Sequence, residues 1–292
     1  MKRIYLLTLI AAALCAFAGC RRELPYPIDE VQRGVLIDVV RVPGTGGVIV
    51  QGQTAGDYKV KLSIPAYQGD YSSLDRAQLL AVLADTQGDA SSRVVEDGIT
   101  AFPVEKSISI ADIYAKFGLS APARGEALYI TANVILKNGK TIPGWSEHTG
   151  FNNQAFDGWK VDGRAYSGSV KYPVTCPLSI DAFAGAKTIK DEWWEETYQI
   201  TVAKKSDTEL EVSGLFEGKA DHSLTITVDP VTHTVSVARQ ALVDNTSTLG
   251  MPYTNLSLSG SGTIDACDGK ITFSATVTVD QGSFGSSTFT IY

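Results

Sequence analysis

From about residue 198 onward, apolar side chains recur at every second position. Tyr198/Ile200/Val202, Leu210/Val212, Leu224/Ile226/Val228, Val235/Val237, Leu256/Leu258, Ile271/Phe273/Ala275/Val277/Val279 and Phe289/Ile291 each alternate with polar neighbours. A period of two is the signature of a strand with one face in a core and one in water. Asp229-Pro230 and Asp268-Gly269 supply turn chemistry between the runs. Seven or eight successive strands joined this way predict an antiparallel meander. Such a meander removes its edges best by closing into a barrel or a two-sheet sandwich, a calycin-like arrangement over 176–292.

The earlier half is also β in pattern. Val35 to Val40 is rich in β-branched residues, Pro43 to Gly47 reads as a turn, and Tyr58, Val60, Leu62 and Ile64 alternate. Apolar runs on either side of Lys137-Asn138-Gly139 predict a hairpin, for which Asn-Gly is the strongest short signal. One short helix is expected over 110–117, with Ser109 as its cap, Asp112 at the capping-box position and Gly118 as its stop. Residues 75–84 are ambiguous, since their Ala/Gln/Leu content favours helix while an all-β neighbourhood favours strand. Residues 34–146 are thus expected to form a small β-sandwich with one helical crossover. Residues 147–175, rich in Gly, Asn, Asp and aromatic residues, break the pattern and are expected to be a linker between two domains. The fold class is all-β.

The N-terminus has a pattern of its own. Lys2 and Arg3 precede an almost wholly apolar stretch from Ile4 to Ala18, the order of charge and hydrophobicity in a secretory signal peptide. The stretch is too short for a permanent transmembrane helix, which needs about 20 residues. It ends in Phe17-Ala18-Gly19-Cys20, which resembles the lipobox of bacterial lipoproteins, although Phe stands where Leu is usual. The expectation is cleavage after residue 19 and acylation of the Cys20 thiol. Each buried methylene of the acyl chains contributes roughly 0.8 kcal/mol to membrane attachment. Residues 20–33, with two prolines and no periodicity, read as a lipidated tether.

Removing residues 1–19 takes two of the 25 basic residues and none of the 32 acidic ones, leaving a net charge of −9. Without a basic cluster, such a chain is not expected to bind nucleic acid or anionic lipid. Of four cysteines, Cys15 would leave with the leader and Cys20 would be acylated. Cys176 and Cys267 remain, and an even pair in an exported chain points to a bridge, two buried free thiols being the other reading.

Several segments then carry a family likeness. They are Cys176 to Gly185, Asp191-Glu192-Trp193-Trp194, Tyr198 to Val202, Ser261 to Gly269 and Gly282-Ser283-Phe284-Gly285. In this order they resemble the C-terminal domain of uncharacterised outer-membrane lipoproteins of Bacteroidetes. The first domain resembles, more weakly, the N-terminal immunoglobulin-like module of the SusE type. The resemblance implies that the two cysteines occur together. It also implies an outer-membrane setting beside glycan-import systems, with an oligosaccharide ligand and a SusC/SusD-type uptake complex as partners. Arg21-Arg22 stand where surface-exported members carry acidic residues, so surface exposure is less firmly implied than outer-membrane attachment.

No phosphate-binding loop, nucleotide-binding glycine fingerprint or Gly-x-Ser-x-Gly elbow occurs. His148, His222 and His233 lie in no metal-ligand spacing, and His233 is expected in a solvated turn. No cofactor, metal or catalytic residue is therefore expected, and the chain is not read as an enzyme. Two aromatic groups are candidate saccharide platforms. Trp193 and Trp194 lie among Asp191, Glu192, Glu195 and Glu196; Trp145, Phe151, Phe156 and Trp159 lie among short amides and carboxylates. Core packing in the first case, and gluing of the domains in the second, are the competing explanations. The leading expectation is a non-enzymatic glycan-binding or accessory lipoprotein. The alternative is a structural or adhesion subunit resembling fimbrial lipoproteins, which assemble by strand exchange.

Overall fold

A computed structural model describes residues 34–151 and 160–292. Cys20, the leader and the tether lie outside the described residues, as do Phe156 and Trp159. The first part of the fold comprises β1 (Asp38–Arg41), β2 (Ile49–Val50), β3 (Lys59–Ser63), β4 (Leu74–Ala84), β5 (Ala90–Ile99), β6 (Val104–Ser107), helix α1 (Ile110–Lys116) and β7 (Ala127–Leu136). Short pairs follow: β8 (Thr141–Ile142), β9 (Trp145–Ser146), β10 (Gly150–Phe151), β11 (Lys160–Val161) and β12 (Arg164–Ala165); the longer β13 (Ser169–Thr175) ends this part.

These strands form two sheets. One has the order β1-β3-β6; the other runs β2-β13-β7-β4-β5, with β8 paired to β7. A single core joins them, with Val39, Val60 and Leu62 from the first sheet meeting Leu79, Leu128, Ile130 and Tyr172 from the second. The layout is a β-sandwich, as expected, and α1 covers part of its core with Ile110, Ile113 and Tyr114. The Ser109 hydroxyl caps that helix by accepting from the Asp112 N–H at 3.2 Å.

Two expectations about this part needed resolving or correcting. Residues 75–84 are strand: β4 is hydrogen-bonded to β5 on one side and β7 on the other over most of its length. Leu79, Ala81 and Leu83 join the shared core while Leu80 and Val82 are buried on the opposite face, so two-sided burial overrides helix propensity. The expected linker over 147–175 is shorter than composition suggested, because β13 within it lies between β7 (antiparallel) and β2 (parallel). Pro173 at the centre of that strand, and the glycines before it, concealed a core element.

After the turn at 180–183 come β14 (Gly185–Asp191), β15 (Glu196–Ser206), β16 (Glu209–Ser213), β17 (Leu224–Asp229), β18 (Thr234–Asn245), β19 (Thr254–Asp265), β20 (Lys270–Val279) and β21 (Gly282–Ile291). They form a closed barrel in which each strand pairs with its sequence neighbours. Closure comes from β14 against β21, with Ile189 opposite Ile291 and Asp191 opposite Phe289. Every barrel strand is thus paired on both sides, leaving no free edge for strand exchange.

The alternating residues named from sequence point inward. Ile200, Leu210, Ile226, Val237, Phe273 and Phe289 belong to one packed interior cluster. The Phe273 and Phe289 rings stack at 5.2 Å. Beside them β19 and β20 come very close: a Cβ on Gly262 would lie 2.0 Å from the Thr272 carbonyl oxygen, and one on Gly260 would lie 2.1 Å from that of Ser274. Only glycine fits there.

Because successive strands run antiparallel, alternate connections gather at opposite ends. Segments 192–195, 214–223, 246–253 and 280–281 form one end, here called distal. Segments 207–208, 230–233 and 266–269, with the entry from residue 176, form the proximal end. The proximal end meets the sandwich. Cys176, directly after β13, is disulfide-bonded to Cys267 in the β19–β20 turn. Arg124 pairs with Asp268 at 2.7 Å, and the Gly47 N–H donates to the Val231 carbonyl at 3.1 Å. The bridge expected from cysteine parity is present, and it ties barrel to sandwich.

Candidate functional site

The distal end is built around Asp191. This carboxylate ends β14 and is 1% exposed. One oxygen accepts the backbone N–H groups of Trp193 (3.0 Å) and Trp194 (2.9 Å), a turn geometry that short acidic side chains favour. The other accepts the Tyr198 hydroxyl at 3.0 Å, and the Tyr198 oxygen in turn accepts the Phe216 N–H at 2.9 Å. Burial pushes the Asp191 carboxyl above its ordinary range, against the opposing pull of those three hydrogen bonds. Burial, and next the Asp191 charge, push the Tyr198 hydroxyl far upward. The network fixes the β14–β15 loop to the segment after β16.

That segment carries Phe216 in a left-handed backbone conformation (φ 52°), bracketed by Gly214 and Gly218. Phe216 is fully buried and belongs to the barrel's interior cluster, so it plugs the distal mouth. Both indoles rest on it, Trp193 at 5.7 Å and Trp194 at 6.2 Å between ring centroids, and they lie 5.9 Å from each other. Phe284 extends the surface, 5.6 Å from Trp193 and 5.5 Å from Tyr253. A β-bulge places it there: Val277 pairs with Gly285 and Thr278 with Ser283, leaving Phe284 as the additional residue. The Phe284 side chain is exposed. Lys219 Nζ stands 5.4 Å from the Trp194 ring, within cation–π range, and also pairs with Glu217 at 3.1 Å.

Trp193 and Trp194 are both half-buried, between the two extremes that the sequence left open. One side of the pair is packed, and the remainder stays accessible. The surrounding acids are exposed: Glu192 pairs with Lys190, whose ammonium holds its carboxyl below the ordinary range.

The second predicted group is divided. Trp145 and Phe151 are cross-strand partners on β9 and β10, and Phe151 packs against Tyr129 of β7 at 4.8 Å. They cover the sandwich's own sheet. Trp193 and Trp194 belong to the barrel's distal end, so the two groups do not form one platform. Phe156 and Trp159 lie outside the described residues.

The expectation of a solvated His233 is overturned. This residue is 5% exposed, has φ 52°, and its Nδ1 is buried without a partner. It ends the 230–233 connection at the proximal end, where Val48, Pro173 and Thr175 of the sandwich line the same cleft. Sequence reading also missed Phe216 and Phe284; the glycines flanking each were the available signal. No group of three or more His, Cys, Asp or Glu placed to share a metal ion occurs among the described residues. No helix among them is long and apolar enough to cross a membrane.

The chain matches no protein-family model, and no curated protein matches it. The site's own geometry therefore carries the functional argument.

Proposed function

We propose that this chain is a non-enzymatic, lipid-anchored envelope protein whose barrel binds saccharide at its distal mouth. The observation that carries the reading is the pair of half-buried indoles seated on Phe216 and extended by Phe284. Sugar rings present a flat face of C–H groups, which packs on indole, and a rim of hydroxyls, which needs nearby acceptors and donors. Glu195, Glu217 and Lys219 provide such groups beside the rings. Asp191 holds the loop in place before any ligand arrives, which lowers the ordering cost of binding. In this reading Cys20 anchors the chain, the sandwich acts as a spacer, and an outer-membrane glycan-uptake system is the setting.

The test is a titration of the full chain with a broad oligosaccharide panel, followed by tryptophan emission. At least one glycan should shift the emission, and Trp194→Ala should weaken its binding by about ten-fold or more while far-ultraviolet circular dichroism is unchanged. A panel that leaves the emission unmoved refutes saccharide binding at the mouth. Anchoring has its own check, in that Cys20→Ser should abolish incorporation of labelled palmitate.

A further inference from the structure

The cleft between the barrel's proximal end and the sandwich has the features of a second site. It is an open cleft of about 400 Å³, within the range of about 300–1,000 Å³ for small-molecule clefts. Val48, Pro173 and Ile264 give it an aliphatic wall, while Arg124, His233 and Asp265 supply polar edges. His233 is the telling residue. It is nine-tenths buried or more, it lines the cleft, and its Nδ1 is one of two buried side-chain polar atoms without a partner among the described residues. A buried imidazole nitrogen left unbonded is costly, and in native proteins it calls for an explanation. Its backbone is also in the left-handed region, which non-glycine residues enter at a cost and which recurs at binding sites.

We infer that this cleft binds one small, neutral, polyhydroxylated molecule of about the size of a single sugar ring. The lining selects that chemistry. Arg124 is paired with Asp268 at 2.7 Å and Asp265 adds a carboxylate to the lining, so the lining offers no unpaired cation to hold an anion. Among the described residues no group of three or more His, Cys, Asp or Glu converges there on a metal ion. Asp265 already accepts the N–H groups of Cys267 at 2.8 Å and Asp268 at 3.2 Å through one oxygen, leaving the other for a hydroxyl. The Thr175 hydroxyl has only a weak contact with the Cys267 sulfur, at 3.8 Å. The cleft thus offers both donors and acceptors beside aliphatic side chains, which suits vicinal hydroxyls on a carbon ring. A half-turn of the imidazole about Cβ–Cγ exchanges Nδ1 with Cδ2, so the ring can offer either edge to a ligand.

The site is independent of the distal mouth, and the experiment keeps the two apart. The chain has three histidines, so the imidazole signals of the full chain in detergent are few, and His233→Gln assigns the one that matters. The probes are glucose, galactose, mannose, xylose, N-acetylglucosamine and myo-inositol, with acetate, phosphate and ethanolamine as charged counterparts. At least one neutral probe should shift the His233 signal with millimolar affinity while tryptophan emission stays constant. Thr263→Trp, on an exposed outward position of β19, should obstruct the cleft and weaken that binding about ten-fold or more, whereas Trp194→Ala should leave it unchanged. Arg124→Ala, at another exposed position, should weaken it as well. A His233 signal that no neutral probe moves, or that only a charged probe moves, overturns the inference.

Discussion

The two ends of the barrel are made by the same eight strands, yet they are closed by different chemistry. At the distal end an aromatic group seals the mouth: Phe216 fills it, and Trp193, Trp194 and Phe284 lie across the plug. At the proximal end the closure is covalent and polar, through Cys176–Cys267, Arg124–Asp268 and the Gly47–Val231 hydrogen bond, with a cleft left between the partners. The strands set where each loop emerges; loop composition alone decides what each end can do. Each end also holds one buried ionisable group in an opposite condition. Asp191 is saturated with donors, whereas His233 has a nitrogen with none.

The contrast can be broken most severely at the proximal end. Replacing Cys176 and Cys267 together with serine releases a loop of 91 residues. The chain-entropy account then gives a loss of about 4–5 kcal/mol, read as a fall in Tm of roughly 8–20 °C. Tryptophan emission of the folded variant should be unchanged, because the distal rings are not held by the bridge. A destabilised variant whose emission also moved in the folded state would show that the ends are coupled.

The next largest effect belongs to the distal end. Asp191→Ala orphans two N–H groups and a buried hydroxyl, and should cost about 3 kcal/mol in urea unfolding. Emission should shift to the red as the indoles lose their loop. Asp191→Asn keeps an oxygen for the Trp193 and Trp194 N–H groups but removes the acceptor of Tyr198, and should recover about half the loss. An alanine variant as stable as the parent would deny Asp191 its organising role.

The smallest effect sharpens the comparison through pH. Burial lowers the His233 pKa below 6.5, with Asp229 and Asp265 opposing. The unfolded chain therefore binds this proton at a higher pH than the folded one does, and stability rises with pH across the interval between the two values. The contribution is complete above about pH 6.5 and is lost as the pH falls toward the folded value. His233→Gln should flatten that part of the stability profile, while Trp193 and Trp194 variants should leave it intact. An unaltered slope in the glutamine variant would remove His233 as its source.

Much of the barrel was legible because an inward-facing residue must be apolar and its neighbour need not be. Tyr198/Ile200/Val202 and Ile271 to Val279 are read directly from that rule. The hairpin at Asn138-Gly139 and the cap at Ser109 were equally legible, since their chemistry is local; Gly139 has φ 84°. What was hidden depends on distant partners. β4 is a strand because β5 and β7 flank it, and β13 is a strand despite Pro173 because β7 and β2 do. The site shows the same division. Trp193 and Trp194 were marked by composition, but Phe216 reaches them from another connection and Phe284 from a bulge. His233 looked like turn surface because the residues that share its cleft, such as Val48 and Pro173, lie far away in sequence.

The seam between β14 and β21 also sets an order of events. Ile189 cannot meet Ile291 until about a hundred further residues have left the ribosome, whereas each internal hairpin can form as soon as it emerges. Until β21 pairs with it, β14 keeps one unpaired edge and the barrel is unsealed.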